Sequence, residues 1–188
     1  MSDFELLSAG FIDPSPGGAP VAPILDAMPI LELSTEIAAP IERVFAFHLD
    51  TRNAALISPP DTDVVSVEGT FPLVEGGEVR LRVRQRPLPI AQTWRVRIER
   101  IVEPVAVIDL MLAGPFAEWR HEHLFHDLGD GRTRMTDRVT YRPPLGPLGA
   151  VAERLFLRRM LERSFRIRQE RTRALLEAAD GLGETTDQ

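Results

Sequence analysis

From Pro29 onward, apolar and polar positions follow two periods along the chain. "PILELSTEIAA" alternates and predicts a strand. "PIERVFAFHLD" follows with Ile41, Val44, Phe45 and His48 at helical spacing, and Pro40 suits the first turn of that helix. A second, short helical turn is predicted at "NAALIS", stopped by Pro59-Pro60. Period two then takes over. "DVVSVEG" is a strand, and "EVRLRVRQR" sets Val79, Leu81 and Val83 against Arg80, Arg82, Arg84 and Arg86. "TWRVRIERI" sets Trp94, Val96 and Ile98 against Arg95, Arg97 and Glu99. "VAVIDLMLAG", "AEWRHEHLFHDL" and "RTRMTDRVTYR" complete the series. From about Gly146 to Ala179 the period returns to helical, with Leu157, Met160, Leu161, Ser164, Arg168, Thr172 and Leu175 predicted as one stripe.

Strands joined by short turns pair antiparallel. An antiparallel sheet of this kind covers one face and wets the other. The long helix is the only element large enough to cover it, so the fold class is α+β: a curved antiparallel sheet gripping a C-terminal helix, with two short helices after the first strand. Outside this core, "DPSPGGAPVAP" is Pro/Gly-rich and without period, so residues 1–28 are expected to be an extension. Residues 29–179 form the domain and 180–188 a flexible tail.

The stretch "WRHEHLFHD" holds three of the chain's four histidines, and its side chains can be placed from the hairpin it opens. A Gly129-Asp130-Gly131 loop sets Leu128 opposite Arg132, with glycine available for positive φ. Phe125 then faces Met135, His123 faces Asp137, His121 faces Val139 and Trp119 faces Tyr141. The other side collects Arg120, Glu122, His126, Arg134, Thr136, Arg138 and Thr140. A register one residue different would mix the charged and apolar faces.

His121, His123 and Asp137 are therefore expected to point inward among aromatic and apolar side chains. Burying unpaired polar groups costs about 2–7 kcal/mol each, so they must pair with each other, with water or with a ligand. A directly opposed Asp137 would hold one tautomer of His123 and raise its pKa. On the neighbouring strands Trp94 is the best candidate to touch a guest. Asp109 shares a face with Val105, Val107 and Met111 on strict alternation, whereas a bulge before Gly114-Pro115 would turn it out to solvent. His48 is expected to pack. His-x-His with a cross-strand Asp could supply three metal ligands, but aromatic surroundings suit an organic guest better, and no metal or cofactor is expected.

A resemblance to a known family rests on particular stretches: "IAAPIERVFAFHLDTRN…SPP", "GPFAEWRHEHLFHDLGDGRTRMTDRVTYRPPLGPLG" and the Arg-rich helix that follows. Over roughly Leu31–Leu176 the chain resembles bacterial members of the START-like, or SRPBCC, superfamily of polyketide cyclase/dehydrase type. That resemblance implies the helix-grip fold, a seven-stranded sheet around the C-terminal helix with a hydrophobic tunnel between them. It implies no particular reaction.

Composition narrows the function classes. With no cysteine, disulfides and thiolate zinc sites are excluded. There is neither a secretory signal nor a run long enough to span a bilayer, so a cytoplasmic protein is expected. The net charge is −6, and all basic residues are arginine. Arg80, Arg82, Arg84, Arg86, Arg95 and Arg97 cluster on the outer sheet face without an aromatic stripe for stacking bases, so a solvated surface is expected, not a nucleic-acid site.

The expected function is binding of a small hydrophobic, aromatic or lipid-like molecule. The candidate ligand-binding residues are Trp94, Asp109, Met111, Trp119, His121, His123, Phe125, Met135, Asp137, Val139 and Tyr141. One alternative is a cyclase- or dehydratase-type enzyme with His123 and Asp137 as general acid–base and His121 or Tyr141 polarising a carbonyl. Another is an interaction module such as a homodimer, its pocket collapsed into core. No nucleophile elbow or phosphate loop is present.

Overall fold

The computed structural model describes residues 28–180. The expected N-terminal extension and tail lie outside the described residues, apart from the extension's last residue and the tail's first. Seven strands form one antiparallel sheet in the order β1-β7-β6-β5-β4-β3-β2. In chain order they are β1 (Ile30–Ile37), β2 (Thr62–Glu68), β3 (Glu78–Gln85), β4 (Gln92–Val102), β5 (Ala106–Ala113), β6 (Glu118–Gly129) and β7 (Arg132–Arg142). Between β1 and β2 lie α1 (Ile41–His48), a 3₁₀ turn at Thr51–Asn53 and α2 (Ala54–Ile57). After β7 come α3 (Pro147–Ala152), a π-helical turn (Glu153–Leu157) and α4 (Arg158–Asp180). This is the expected helix-grip arrangement.

The alternation reads directly as burial. On β3, Val79, Leu81 and Val83 are buried while Arg80, Arg82 and Arg84 are exposed. On β7, Thr133, Met135, Asp137, Val139 and Tyr141 are all buried. Antiparallel pairing leaves one covered face, and α1 and α4 cover it. Phe45 of α1 meets Phe125 of β6 edge to face, with ring centroids 5.8 Å apart. Ile37, Val44, Phe45, Val107, Phe125 and Met135 belong to one buried cluster, and Leu31, Val139, Tyr141, Leu161 and Phe165 to another. The exposed arginines pair locally: Arg95 and Arg97 both reach Glu78 at 3.2 Å, and Arg84 reaches Asp63 at 3.1 Å.

The β6–β7 register is the expected one, with Phe125 opposite Met135, His123 opposite Asp137, His121 opposite Val139 and Trp119 opposite Tyr141. The hairpin tip differs. Gly129, not Leu128, pairs with Arg132, and Leu128 is taken up in a bulge. Asp130 (φ 52°) and Gly131 (φ 68°) both adopt positive φ, so a tight two-residue turn replaces the expected three-residue loop. One bulged residue absorbs the offset and leaves the faces below it unchanged.

The C-terminal helix also departs from expectation. A π turn interrupts it, and its covered face is rotated relative to the expected stripe. Leu161, Phe165, Gln169, Thr172 and Leu176 are buried, whereas Met160 and Leu175 are 51% and 41% exposed. The observed spacing of four, four, three and four residues is as good a helical stripe as the expected one. The sheet selects it because Phe165 stacks on Trp119 and Gln169 reaches β1 and β7.

Candidate functional site

The two inward histidines lie on β6 between two carboxylates, one from each neighbouring strand. Asp109 of β5 is paired across from His121, and Asp137 of β7 across from His123. Asp109 thus takes the inward position that strict alternation allowed. The histidine rings are close, with centroids 3.9 Å apart.

Asp137 organises the group. Its Oδ1 accepts a hydrogen bond from His121 Nε2 at 2.9 Å, and its Oδ2 accepts one from Gln169 Nε2 at 2.7 Å. Gln169 also donates to the Leu33 carbonyl at 2.9 Å, which fastens α4 to the sheet edge. His123 Nδ1 lies 3.0 Å from the same Oδ1 but off the hydrogen-bond direction, and it is buried without another partner. Burial by itself would raise Asp137; the bond from His121 and the contact with His123 outweigh it and hold the carboxyl well below its ordinary value.

The expectation of a raised His123 is corrected. Its pKa is lowered, first by burial and then by His121, and Asp137 does not make up the difference. The carboxylate reaches diagonally to the histidine opposite Val139, so direct opposition of Cα atoms did not settle its partner.

Asp109 lies on the far side of the rings. Its Oδ2 is 3.8 Å from His121 Nδ1 and 3.9 Å from His123 Nε2. Burial raises its pKa to about 6, against the opposing charges of His123 and Arg168. His48, expected only to pack, stands beside His123 with ring centroids 4.9 Å apart. Its Nδ1 donates to the Val44 carbonyl at 2.8 Å, and burial, followed by His123, lowers its pKa to about 3.

Two adjoining chambers open between this group and the helices. The inner one, about 180 Å³, is bounded by Asp109, His121 and His123, by His48 at the end of α1, and by the turn before β2. The outer one, about 290 Å³, is bounded by Phe116, the Pro143-Pro144 corner and the α3–α4 segment. Gln85, Trp94, Met111, Trp119, Ser164 and Arg168 belong to both and form the shared wall. Trp94 Nε1 is buried there without a hydrogen-bond partner.

Of the candidate ligand-binding residues, Trp94, Asp109, Met111, Trp119, His121 and His123 line a chamber. Phe125, Met135, Asp137, Val139 and Tyr141 face the same way but lie behind the lining, covered by packed neighbours. Tyr141, expected to offer its hydroxyl to a guest, donates instead to Glu153 Oε1 at 3.0 Å; burial and that carboxylate raise its pKa. Several residues of these surroundings are not among the candidates, His48 and Gln85 of the chamber lining and three from α4. Ser164 and Arg168 were traced only as helix stripe, and Gln169 lies one position beyond Arg168, four and eight residues after Phe165 and Leu161.

Compared with known proteins, residues 28–177 match the family described as polyketide cyclase/dehydrase and lipid transport. No curated protein matches the chain. A Thermus thermophilus protein of known structure is 18% identical with a TM-score of 0.64, over 80% of this chain and 99% of that one. The di-domain ARO/CYC StfQ of the steffimycin biosynthetic pathway is 13% identical with a TM-score of 0.64, over 84% of this chain and 53% of that one. A Thalictrum norcoclaurine synthase point mutant is 10% identical with a TM-score of 0.59, over 81% of this chain and 96% of that one. At these identities the structures share the fold. The family match, which spans the sheet and nearly all of the last helix, shows that the chain belongs to the polyketide cyclase/dehydrase and lipid-transport family, of the START-like, SRPBCC superfamily.

Proposed function

We propose that the protein binds one small, largely apolar molecule, aromatic or lipid-like, that extends through both chambers. The observation that carries this reading is the shared wall: two tryptophans, a methionine and α4 line both chambers, and a buried indole N–H there lacks an acceptor. The two volumes together are of the order of an ordinary ligand pocket, about 300 Å³ or more. An orphaned buried donor is costly unless a guest oxygen meets it. A carbonyl- or hydroxyl-bearing guest would satisfy Trp94 while His48, Asp109, His121 and His123 receive its polar end.

Both tryptophans of the chain line the chambers, so the protein carries its own reporter. Titration with flavonoids, quinones, aromatic polyketides and fatty acids is expected to quench tryptophan emission for at least one class. The same class should raise the thermal midpoint, because a ligand at 100 times its Kd adds about 2.7 kcal/mol. Silence in both readouts across all four classes would sink the reading.

A second reading, acid–base chemistry on that guest, is favoured by one observation. Asp109, with a pKa near 6, faces two imidazoles, one of them held in a single tautomer by Asp137. In a cyclase- or dehydratase-type step, Asp109 and His123 would exchange a proton with the guest, and Asp137 would position His121. Turnover of a bound guest that is lost in Asp109→Asn, with binding kept, would establish this reading; turnover unchanged in that variant would exclude it.

A further inference from the structure

The nitrogens that Asp137 does not engage share one feature. His121 Nδ1 and His123 Nε2 both turn toward the same oxygen of Asp109, at 3.8 and 3.9 Å. These separations are too long for hydrogen bonds. Asp109 accepts no side-chain hydrogen bond among the described residues, although its side chain is only 15% exposed. Three donor atoms, one from each residue, lie within 4.8 Å of one another.

We infer that Asp109, His121 and His123 form a binding site for one divalent transition-metal ion on the inner wall of the first chamber. Two imidazoles and a carboxylate suit zinc or ferrous ion, and the absence of thiolate disfavours softer ions. Metal–ligand bonds of about 2.0–2.2 Å hold neighbouring donor atoms about 3–3.5 Å apart, so Asp109 closes on each ring by about half an ångström, and the donor set as a whole, now within 4.8 Å, draws in by rotation of the imidazole rings. The surroundings are those of a built site. A metal-bound histidine commonly donates its other ring N–H to a carboxylate, and His121 does so to Asp137, itself fixed by Gln169 from α4. The three ligands come from adjacent strands of one rigid sheet, and their open side faces the chamber. Such a site keeps coordination positions for water or for an oxygen of a guest. This inference goes beyond the proposed function and does not need an apolar guest to bind.

The test uses the full chain, treated with a chelator and titrated with Zn(II) by calorimetry and with Co(II) by visible absorption. One equivalent is expected to bind, with cobalt d–d bands of a nitrogen- and oxygen-ligated ion. Asp109→Asn should lose binding, and Asp137→Asn should weaken it about 10- to 100-fold. His126→Ala removes the exposed histidine of the same strand and should leave affinity unchanged. On the unaltered protein, Co(II) should shift the ring-proton resonances of His121 and His123, which covers the case in which a variant does not fold. No binding, binding unaffected in a folded Asp109→Asn protein, or unshifted His121 and His123 resonances would overturn the site.

Discussion

Single ionisable groups inside this sheet set how the metal-free protein responds to acid. The depressed His48 makes the folded state prefer the neutral ring. Its contribution to stability is therefore complete above pH 6.5 and is lost as pH falls from there toward 3, because only the unfolded chain takes up the proton. His123 acts in the same sense. Asp109 acts oppositely: its contribution is complete below 3.8 and fades as pH rises through about 6. Asp137 enters only below 3.8, where its contribution is lost on further acidification. Besides His123, Asp137 and Arg168 face His48, raising and lowering its pKa respectively. Between pH 7 and 4.5 the loss at His48 covers about two pH units and the gain at Asp109 about one and a half, so the two nearly offset and acidification is expected to destabilise the protein by about 1 kcal/mol, with His123 adding in the same sense as His48. His48→Gln should flatten this dependence, as read from urea midpoints at the two pH values. An equally steep loss in the variant would show that burial of His48 does not control it.

At the scale of elements, the break in the C-terminal helix coincides with a buried ionisable side chain. Glu153 begins the π turn, is buried, and receives the Tyr141 hydroxyl from the end of β7. π turns are rare and recur at functional positions. Tyr141→Phe removes the donor and leaves a buried carboxylate, at an expected cost of about 1–3 kcal/mol in chemical denaturation. Amide exchange over Glu153–Leu157 should speed up in the variant while that of β6 does not. How far elements were legible follows from the same region. The alternation that defined β7 also put Tyr141 on the covered face, because period two needs no partner to be read. The hydroxyl's partner lies twelve positions on, in a turn that no local pattern marks. Likewise the stripe through Met160 and Leu175 and the one through Phe165, Gln169 and Leu176 are equivalent in sequence. A helix shows its apolar arc, but the sheet beneath chooses which part of that arc is covered.

For the whole molecule, the space between sheet and helix depends on how closely the chain packs around it. Gly114, at the end of β5, lies so near the Met111 side chain that an added Cβ would collide with its sulfur. Met111 is flexible and belongs to the wall shared by both chambers, so it can yield only by moving its thioether. Gly114→Ala is therefore expected to weaken guest binding at least several-fold in the tryptophan-quenching titration. It should lower stability by about 1–2 kcal/mol or less, since a flexible side chain, not backbone, has to move. Unchanged affinity would show that guests do not reach the Met111 wall.

Order of elements, sheet face and the β6–β7 register below the hairpin tip were determined by the sequence alone, since each is a local period, and a one-residue slip would turn arginines into the core. The inward direction of His121, His123 and Asp137 follows from the same periodicity. Tertiary structure decided which of their atoms meet, that Asp109 and His48 join them, that Tyr141 is spent on Glu153, and that Ser164, Arg168 and Gln169 complete the surroundings. Those outcomes depend on distances of a few ångströms between strands and helices far apart in the chain, which only simultaneous packing of all of them sets.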